Sequence, residues 1–198
     1  MDKNNNVLNQ WFALDFKASI VLGATDAPGL YEIAVLSDDG SILYLDNGMG
    51  AGLQPAIEND GEHSNRIVCS SVAYNFSNSP TNPTIMPMEL KYYQGPLESI
   101  AAQIFWRKVD SSSSSSLADT ECATPSTSTN PLGGLDDNYY YDTTNASKEQ
   151  TPIENFIGRG WHVLAPDNFL LPGGVVNKCP VPVPSTSPSP GSTSGPKG

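Results

Sequence analysis

An all-β fold, a β-sandwich of antiparallel strands with long loops, is what this sequence predicts. Three observations point to it. Apolar and polar residues alternate with a period of two again and again between Leu14 and Val109, the signature of half-buried strands. The segments between these runs are rich in Gly, Pro, Asn and Asp, and the chain carries 17 Gly and 17 Pro in 198 residues. No stretch sustains the 3.6-residue apolar period of an amphipathic helix, so many short strands joined by tight turns remain as the architecture.

Taken in order, Leu14, Phe16, Ala18, Ile20 and Leu22 alternate with Asp15, Lys17, Ser19 and Val21 as a first strand, and Asp26-Ala27-Pro28-Gly29 forms a turn. Tyr31, Ile33 and Val35 mark a second strand, and Ile42 to Leu45 a third. Ser37-Asp38-Asp39-Gly40 between them has the composition of a tight hairpin with Gly where positive φ is cheapest. Further strands are expected over Arg66 to Tyr74, Met86 to Tyr93 and Ile100 to Val109. Ser111 to Ser116 open a polar stretch running to about Gln150, longer than most loops in compact domains and expected to be a surface excursion. Gly160 to Leu164 and Asn168 to Leu171 regain strand character and are expected to close the sheet. The expected organisation is one sandwich domain over residues 1–179, with the insertion near 111–150 inside it. Residues 180–198 hold six Pro, five Ser, three Gly and two Thr and are expected to be a disordered linker.

Ten Lys or Arg against 21 Asp or Glu give a net charge of −11, which argues against a nucleic-acid partner. No run approaches the roughly 18 apolar residues that span a bilayer, so membrane insertion is not expected. The opening Met1 to Asn6 lacks the apolar core of a signal peptide. The acid is concentrated: Glu32, Asp38, Asp39, Asp46, Glu58, Asp60 and Glu62 fall between Leu30 and Glu62 without a single Lys or Arg. Such density marks a solvated face or a cation site. Cys69, Cys122 and Cys179 form no CxxC, and one disulfide plus one remaining thiol suits an exported chain. Which two of them pair stays open.

Few residues suggest catalysis, and the chain is not expected to be an enzyme. There is no Gly-x-Ser-x-Gly elbow. His63 and His162 lack a Cys or His at ligand spacing, so both are expected to be structural. Asp38-Asp39-Gly40 is the sharpest feature, because adjacent carboxylates supply the anionic oxygens that Ca²⁺ prefers. Neighbours in an extended strand point to opposite faces, so both reach one ion only if the backbone turns between them, as a cis peptide would allow. Asp-Gly is equally a common hairpin signal. Ile57 to His63 offers oxygens without the alternate-position pattern of an EF-hand. Tyr139-Tyr140-Tyr141 could stack on sugars or tuck onto the sheet, and Trp11, Trp106 and Trp161 are expected to pack in the core or its rim.

In order, Trp11 to Phe16, Gly29 to Glu32, Leu36 to Asp46, Asn59 to His63, Tyr92-Tyr93-Gln94-Gly95-Pro96 and Phe105-Trp106 together resemble one pattern, the PA-fourteen domain. That family is named after the fourteen-kilodalton segment of anthrax protective antigen, and the match runs over roughly residues 10–109. The resemblance implies a β-sandwich of the kind found in yeast flocculins, bacterial adhesins and glycosidase accessory regions, many of them Ca²⁺-dependent lectins. It implies that Asp38 and Asp39, joined by a cis peptide, hold Ca²⁺ with the Gln94 amide and backbone carbonyls near Gly95 and Leu97. Vicinal sugar hydroxyls would complete the shell beside Asp38, Asp39, Gln94 and Glu98; some members carry an acidic residue where this chain has Leu97, and Glu98 stands one step later. The implied protein is a secreted or cell-surface adhesin taking glycans of a cell surface or matrix, with multivalency raising a modest single-site affinity. Two other readings are a non-catalytic structural or protein-interaction module that has lost sugar binding, and an accessory domain of a glycosidase. The choice of sugar and the oligomeric state are not legible.

Overall fold

The computed structural model describes residues 9–63, 65–96, 100–109, 119, 156–172 and 175–176. The fold is all-β, and every strand pairing is antiparallel. The strands are β1 (Phe12–Ile20), β2 (Gly29–Asp38), β3 (Ser41–Leu45), β4 (Gln54–Asn59), β5 (Arg66–Cys69), β6 (Tyr74–Phe76), β7 (Asn78–Ser79), β8 (Asn82–Pro83), β9 (Met86–Gln94), β10 (Ala101–Val109), β11 (His162–Val163), β12 (Phe169–Leu171) and β13 (Val175–Val176). Among the described residues, helix is confined to one turn at Phe156–Gly158 and a 3₁₀ turn at Pro166–Asn168. Among the described residues no helix is long and apolar enough to cross a membrane.

Sheet one has the order β13-β12-β1-β9-β3-β4, and sheet two the order β11-β10-β2-β5, with β6 also on β2. Alternation sets the inner face. On β9, Met86, Met88 and Leu90 point inward and are buried, beside Leu43 and Leu45 of β3, Ile57 of β4 and Ile20 of β1. Sheet two answers with Tyr31, Ile33 and Val35 of β2, Ile104 and Trp106 of β10, and Tyr74 and Phe76 of β6. Three rings interlock there: Trp106 lies 4.5 Å from Tyr31 and 5.6 Å from Phe76, centroid to centroid. Such aromatic pairs add about 0.5–1.5 kcal/mol each beyond their burial.

Sheet two is covered on its other face as well. Ala34, Leu36, Ile67 and Phe105 form a second apolar cluster with Phe156 and Trp161, whose rings stack at 4.8 Å. This is why every residue of β2 from Tyr31 to Asp38 is buried, where the sequence suggested inward positions only at Tyr31, Ile33 and Val35. Glu32 points into that second layer and is neutralised by Arg107, whose Nη2 lies 2.6 Å from its Oε2. Asp119 joins them, accepting from Arg159 Nε at 2.6 Å and Trp161 Nε1 at 2.9 Å.

The expected closing segment pairs with both sheets: β11 adds to β10, and β12 adds to β1. Several expectations are corrected. The stretch Arg66 to Tyr74 is two short strands, since Ser70 leaves the ladder to bond Ile33 N and Val72 O through its hydroxyl. Strand β4 was not anticipated, because Gln54-Pro55-Ala56 hides its alternation. Trp11 is no core residue: it is 72% exposed at a positive φ of 54°, just before β1 begins. Leu14 and Phe16, on the apolar side of β1, remain 39% and 45% exposed because β12 reaches only Ser19 and Ile20. Trp106 and Trp161 are buried as expected. Cys69 is disulfide-bonded, to a partner outside the described residues. The polar excursion of 111–150, with Tyr139 to Tyr141, and the tail of 180–198 also lie outside them, save Asp119.

Truncating Leu43→Ala, in the centre of the inner face, is expected to cost about 3 kcal/mol, whereas Leu14→Ala stays within about 0.5 kcal/mol. Urea denaturation of the two variants beside the parent chain checks the contrast.

Candidate metal and ligand site

The site forms where the chain changes sheets. β2 ends at Asp38 in sheet two and β3 begins at Ser41 in sheet one, so the link between them is a crossing from sheet to sheet and not the hairpin that its composition suggests. A buried polar clamp fixes the crossing from below. Ser37 Oγ and Ser41 Oγ are hydrogen-bonded at 2.8 Å, and Asn59 Nδ2 donates to Ser37 Oγ at 2.8 Å and to Arg66 O at 3.1 Å. Arg66 Nε donates back to Asn59 Oδ1 at 2.5 Å. No buried side-chain polar atom of this clamp lacks a partner, the condition under which buried polar groups specify geometry.

Above the clamp the Asp38–Asp39 peptide bond is cis, and both side chains are buried, at 5% and 4% exposure. Asp39 Oδ1 accepts from His63 N at 3.0 Å, and Oδ2 accepts from Gly95 N at 2.7 Å. The requirement for glycine follows from close approach. A Cβ at Gly95 would lie 3.0 Å from Asp39 Oδ2, and one at Gly40 would lie 2.2 Å from Cε1 of Tyr93. Gly40 does not carry the positive φ expected of a hairpin glycine; what it lacks is room.

Gln94 ends β9 beneath these carboxylates. Its Nε2 lies 3.5 Å from Asp39 Oδ2 and donates to Pro96 O at 3.1 Å, while its Oε1 faces the Tyr92 hydroxyl. Tyr92 Oη also donates to Asp38 O at 2.6 Å. A phenol has one hydrogen and cannot satisfy both acceptors. As it stands, the Gln94 amide turns its nitrogen toward Asp39 Oδ2 and Pro96 O; reversing it, which exchanges nearly isosteric N and O, would let Tyr92 donate to Asp38 and accept from Gln94 at the cost of those two donations. With the amide reversed, its oxygen would stand beside Asp39 Oδ2 and Pro96 O, three oxygens that a cation between them would reconcile.

The field at the site is negative. Tyr92 is raised above its ordinary phenolic pKa by burial first, and then by Asp38 and Asp39. Tyr93 is raised by burial and by Asp39, Asp60 and Glu62, against which Arg66 acts. Among the described residues, no Lys or Arg comes within ion-pair distance of Asp39. No group of three or more His, Cys, Asp or Glu converges among them either, so a cation held here would have to draw on two carboxylates, an amide and carbonyls.

Of the residues that the sequence singled out, the structure brings together Asp38, Asp39, Gln94 and Gly95. Gly95 contributes its N–H to Asp39, while its carbonyl accepts from Trp11 N at 3.0 Å. Leu97 and Glu98 lie outside the described residues. Ile57 to His63, considered separately in the sequence, belongs to the same place: Ile57 is core, Asn59 anchors the clamp, and His63 N holds Asp39. The place of Asn59 to His63 in the same ordered set of motifs as Asp38-Asp39 was the one signal for this. Ser37 and Ser41 gave none. Both histidines are structural as expected, with His63 Nε2 3.0 Å from Asn59 O and His162 Nε2 accepting from Trp106 Nε1 at 2.7 Å.

No protein-family profile matches the chain, and no curated protein matches it. Among solved structures, a likeness is found to the crystal structure of the PA14 domain of the MpAFP antifreeze protein, at 18% identity and a TM-score of 0.35. It covers 51% of this chain and 45% of that one. A likeness at that level carries no argument, and the fold stands on the strand pairing described above.

The phenols set an alkaline limit on stability. Because burial and carboxylates raise Tyr92, and burial raises Tyr31 and Tyr74 in the same direction, their contribution is full below pH 10.0, the ordinary phenol value. It is lost as pH rises beyond it, since the unfolded chain then releases protons that the folded chain retains. Denaturation midpoints are expected to hold up to that pH and to fall above it, with a shallower fall in Tyr92→Phe.

Proposed function

We propose that this chain is a calcium-dependent carbohydrate-binding module, a non-catalytic adhesive domain that takes glycans of a cell surface or matrix. The observation that carries the reading is the gathering of oxygens at the sheet crossing: two adjacent buried carboxylates, with the Gln94 side-chain amide and the Pro96 carbonyl beside Asp39. The order of motifs resembling the PA-fourteen domain supports it. So does a disulfide at Cys69, which fits an exported protein.

Ca²⁺, which takes six to eight oxygens, would bring positive charge among these oxygens and leave positions for vicinal sugar hydroxyls. The chain's own part is to hold oxygens in place. Asp38 and Asp39 would bring the charge, the Gln94 amide and the carbonyls of Gly95 and Pro96 would extend the set, and the motif resemblance would add Leu97 and assign Glu98 to the sugar. Ser37, Ser41 and Asn59 lock the crossing from beneath, so little ordering remains to be done on binding. Tyr92 fixes the amide, and Gly95 fixes Asp39.

Calorimetric titration of chelator-stripped protein with Ca²⁺ tests the reading. One-site binding is expected in the parent chain, abolished in Asp39→Asn and weakened about tenfold in Gly95→Ala, where the new methyl displaces the carboxylate. Glycan-array binding should appear in calcium and vanish with chelator. A parent chain that takes no calcium while folded would overturn the proposal and leave a protein-interaction module in its place.

A further inference from the structure

The open edge of β1 has a chemistry of its own. β12 pairs with this strand only at Ser19 and Ile20, and among the described residues nothing pairs with the same edge from Ala13 to Ala18. Val21 donates its N–H to Asn168 O on that side, so by the two-residue alternation the backbone groups of Asp15 and Lys17 also face the open edge. Natural edges are usually blunted by bulges, prolines or a covering segment. This one belongs to a regular strand of nine residues that is covered only at its last two, with Leu14 and Phe16 substantially exposed on its inner side. Phe16 also forms the rim of an apolar cavity of about 350 Å³ between the sheets, lined by Ala18, Leu90, Ile104, Leu164 and Phe169.

We propose that this edge pairs with the same edge of a second copy of the chain, β1 against β1 about a two-fold axis at Phe16. The register follows from charge. Antiparallel strands related by a two-fold axis keep each residue on its own face, so the centre falls on a residue. Centred on Phe16, Asp15 stands opposite the partner's Lys17 and Lys17 opposite the partner's Asp15, while Leu14 meets the partner's Ala18. One step either way places Asp15 against Asp15 or Lys17 against Lys17. Opposite charges in facing positions stabilise a sheet, and like charges destabilise it. The charges are already arrayed for this: Lys17 Nζ lies 3.2 Å from its own Asp15 and 3.6 Å from Glu89 on the neighbouring strand. On the opposite side of the joined sheet, two Phe16 rings meet at a non-hydrogen-bonded position, where side chains approach most closely, and close over the cavity mouths. The contact is isologous, so it closes at two copies. It needs neither calcium nor sugar.

Sedimentation velocity on the full chain, from micromolar to millimolar concentration, tests it with charge swaps. The parent chain is expected to dimerise. Asp15→Lys and Lys17→Asp each place like charges in both facing positions and should weaken self-association by about tenfold or more. Mixing the two variants restores opposite charges at both positions and should restore dimers of parent-like affinity, a result that misfolded variants could not produce. A parent chain that stays monomeric throughout overturns the proposal. So does a dimer that both single swaps leave unchanged, which would place the contact on another surface or leave this edge to a different strand.

Discussion

Two residues, Asp39 and Gly40, carry the chain from one sheet of the sandwich to the other, and this short crossing constrains everything around it. A link of that length draws the ends of β2 and β3 together, so the sheets meet at that pole over polar groups where elsewhere they meet over apolar side chains. The hydroxyls of Ser37 and Ser41 and the amide of Asn59 fill the gap and satisfy one another. Carboxylates placed on top of such a clamp cannot swing into solvent, because their neighbours are fixed by strand pairing: Tyr92 and Gln94 by β9, and Gly95 by its bond to Trp11 N. The site is thus a property of the fold's rigid elements more than of its loops.

The same logic explains how the seven carboxylates between Leu30 and Glu62 are tolerated. They do not share one role. Glu32 is neutralised by Arg107 in the second apolar layer, and Asp46 lies at the far end of β3, where it caps the backbone at Gly48. Asp60 and Glu62 act on Tyr93 alongside Asp39. What looks like a single block of charge in the sequence is divided by the topology into a structural ion pair, a turn and one concentrated field.

Much of the fold was legible because period-two alternation is a local property. β3, β9 and β10 lie within a residue or two of where alternation placed them. The outer covering of β2 was not legible, since it comes from Phe156 and Trp161, more than a hundred residues away. The exposure of Leu14 and Phe16 was hidden for the same reason: alternation assigns a face but not what stands opposite it. At the site, the paired aspartates and Gln94 were visible through motif order. The clamp was not, because serine and asparagine are common in turns and nothing local distinguishes a buried set. Gly40 illustrates the gap: glycine was expected there for its backbone freedom, and the cause is the Tyr93 ring, fifty-three positions along the chain.

The segment that runs from Trp161 to Leu171 adds one strand to each sheet, and it also brings the acceptor for the indole hydrogen of Trp106. In sequence it comes about fifty residues after β10, the last of the ten strands that form the bulk of the sandwich. During synthesis, those ten strands leave the ribosome while the acceptor for a core tryptophan and the partners of Ser19 and Ile20 are still being made. The sandwich therefore reaches its final hydrogen-bond complement only when the chain beyond residue 160 arrives, and its most widely separated strand pairing, β12 on β1, belongs to that last step. A chain stopped at Val109 would hold most of its apolar core and lack the strap across it, so the distal segment ties the two sheets together after each has its own strands.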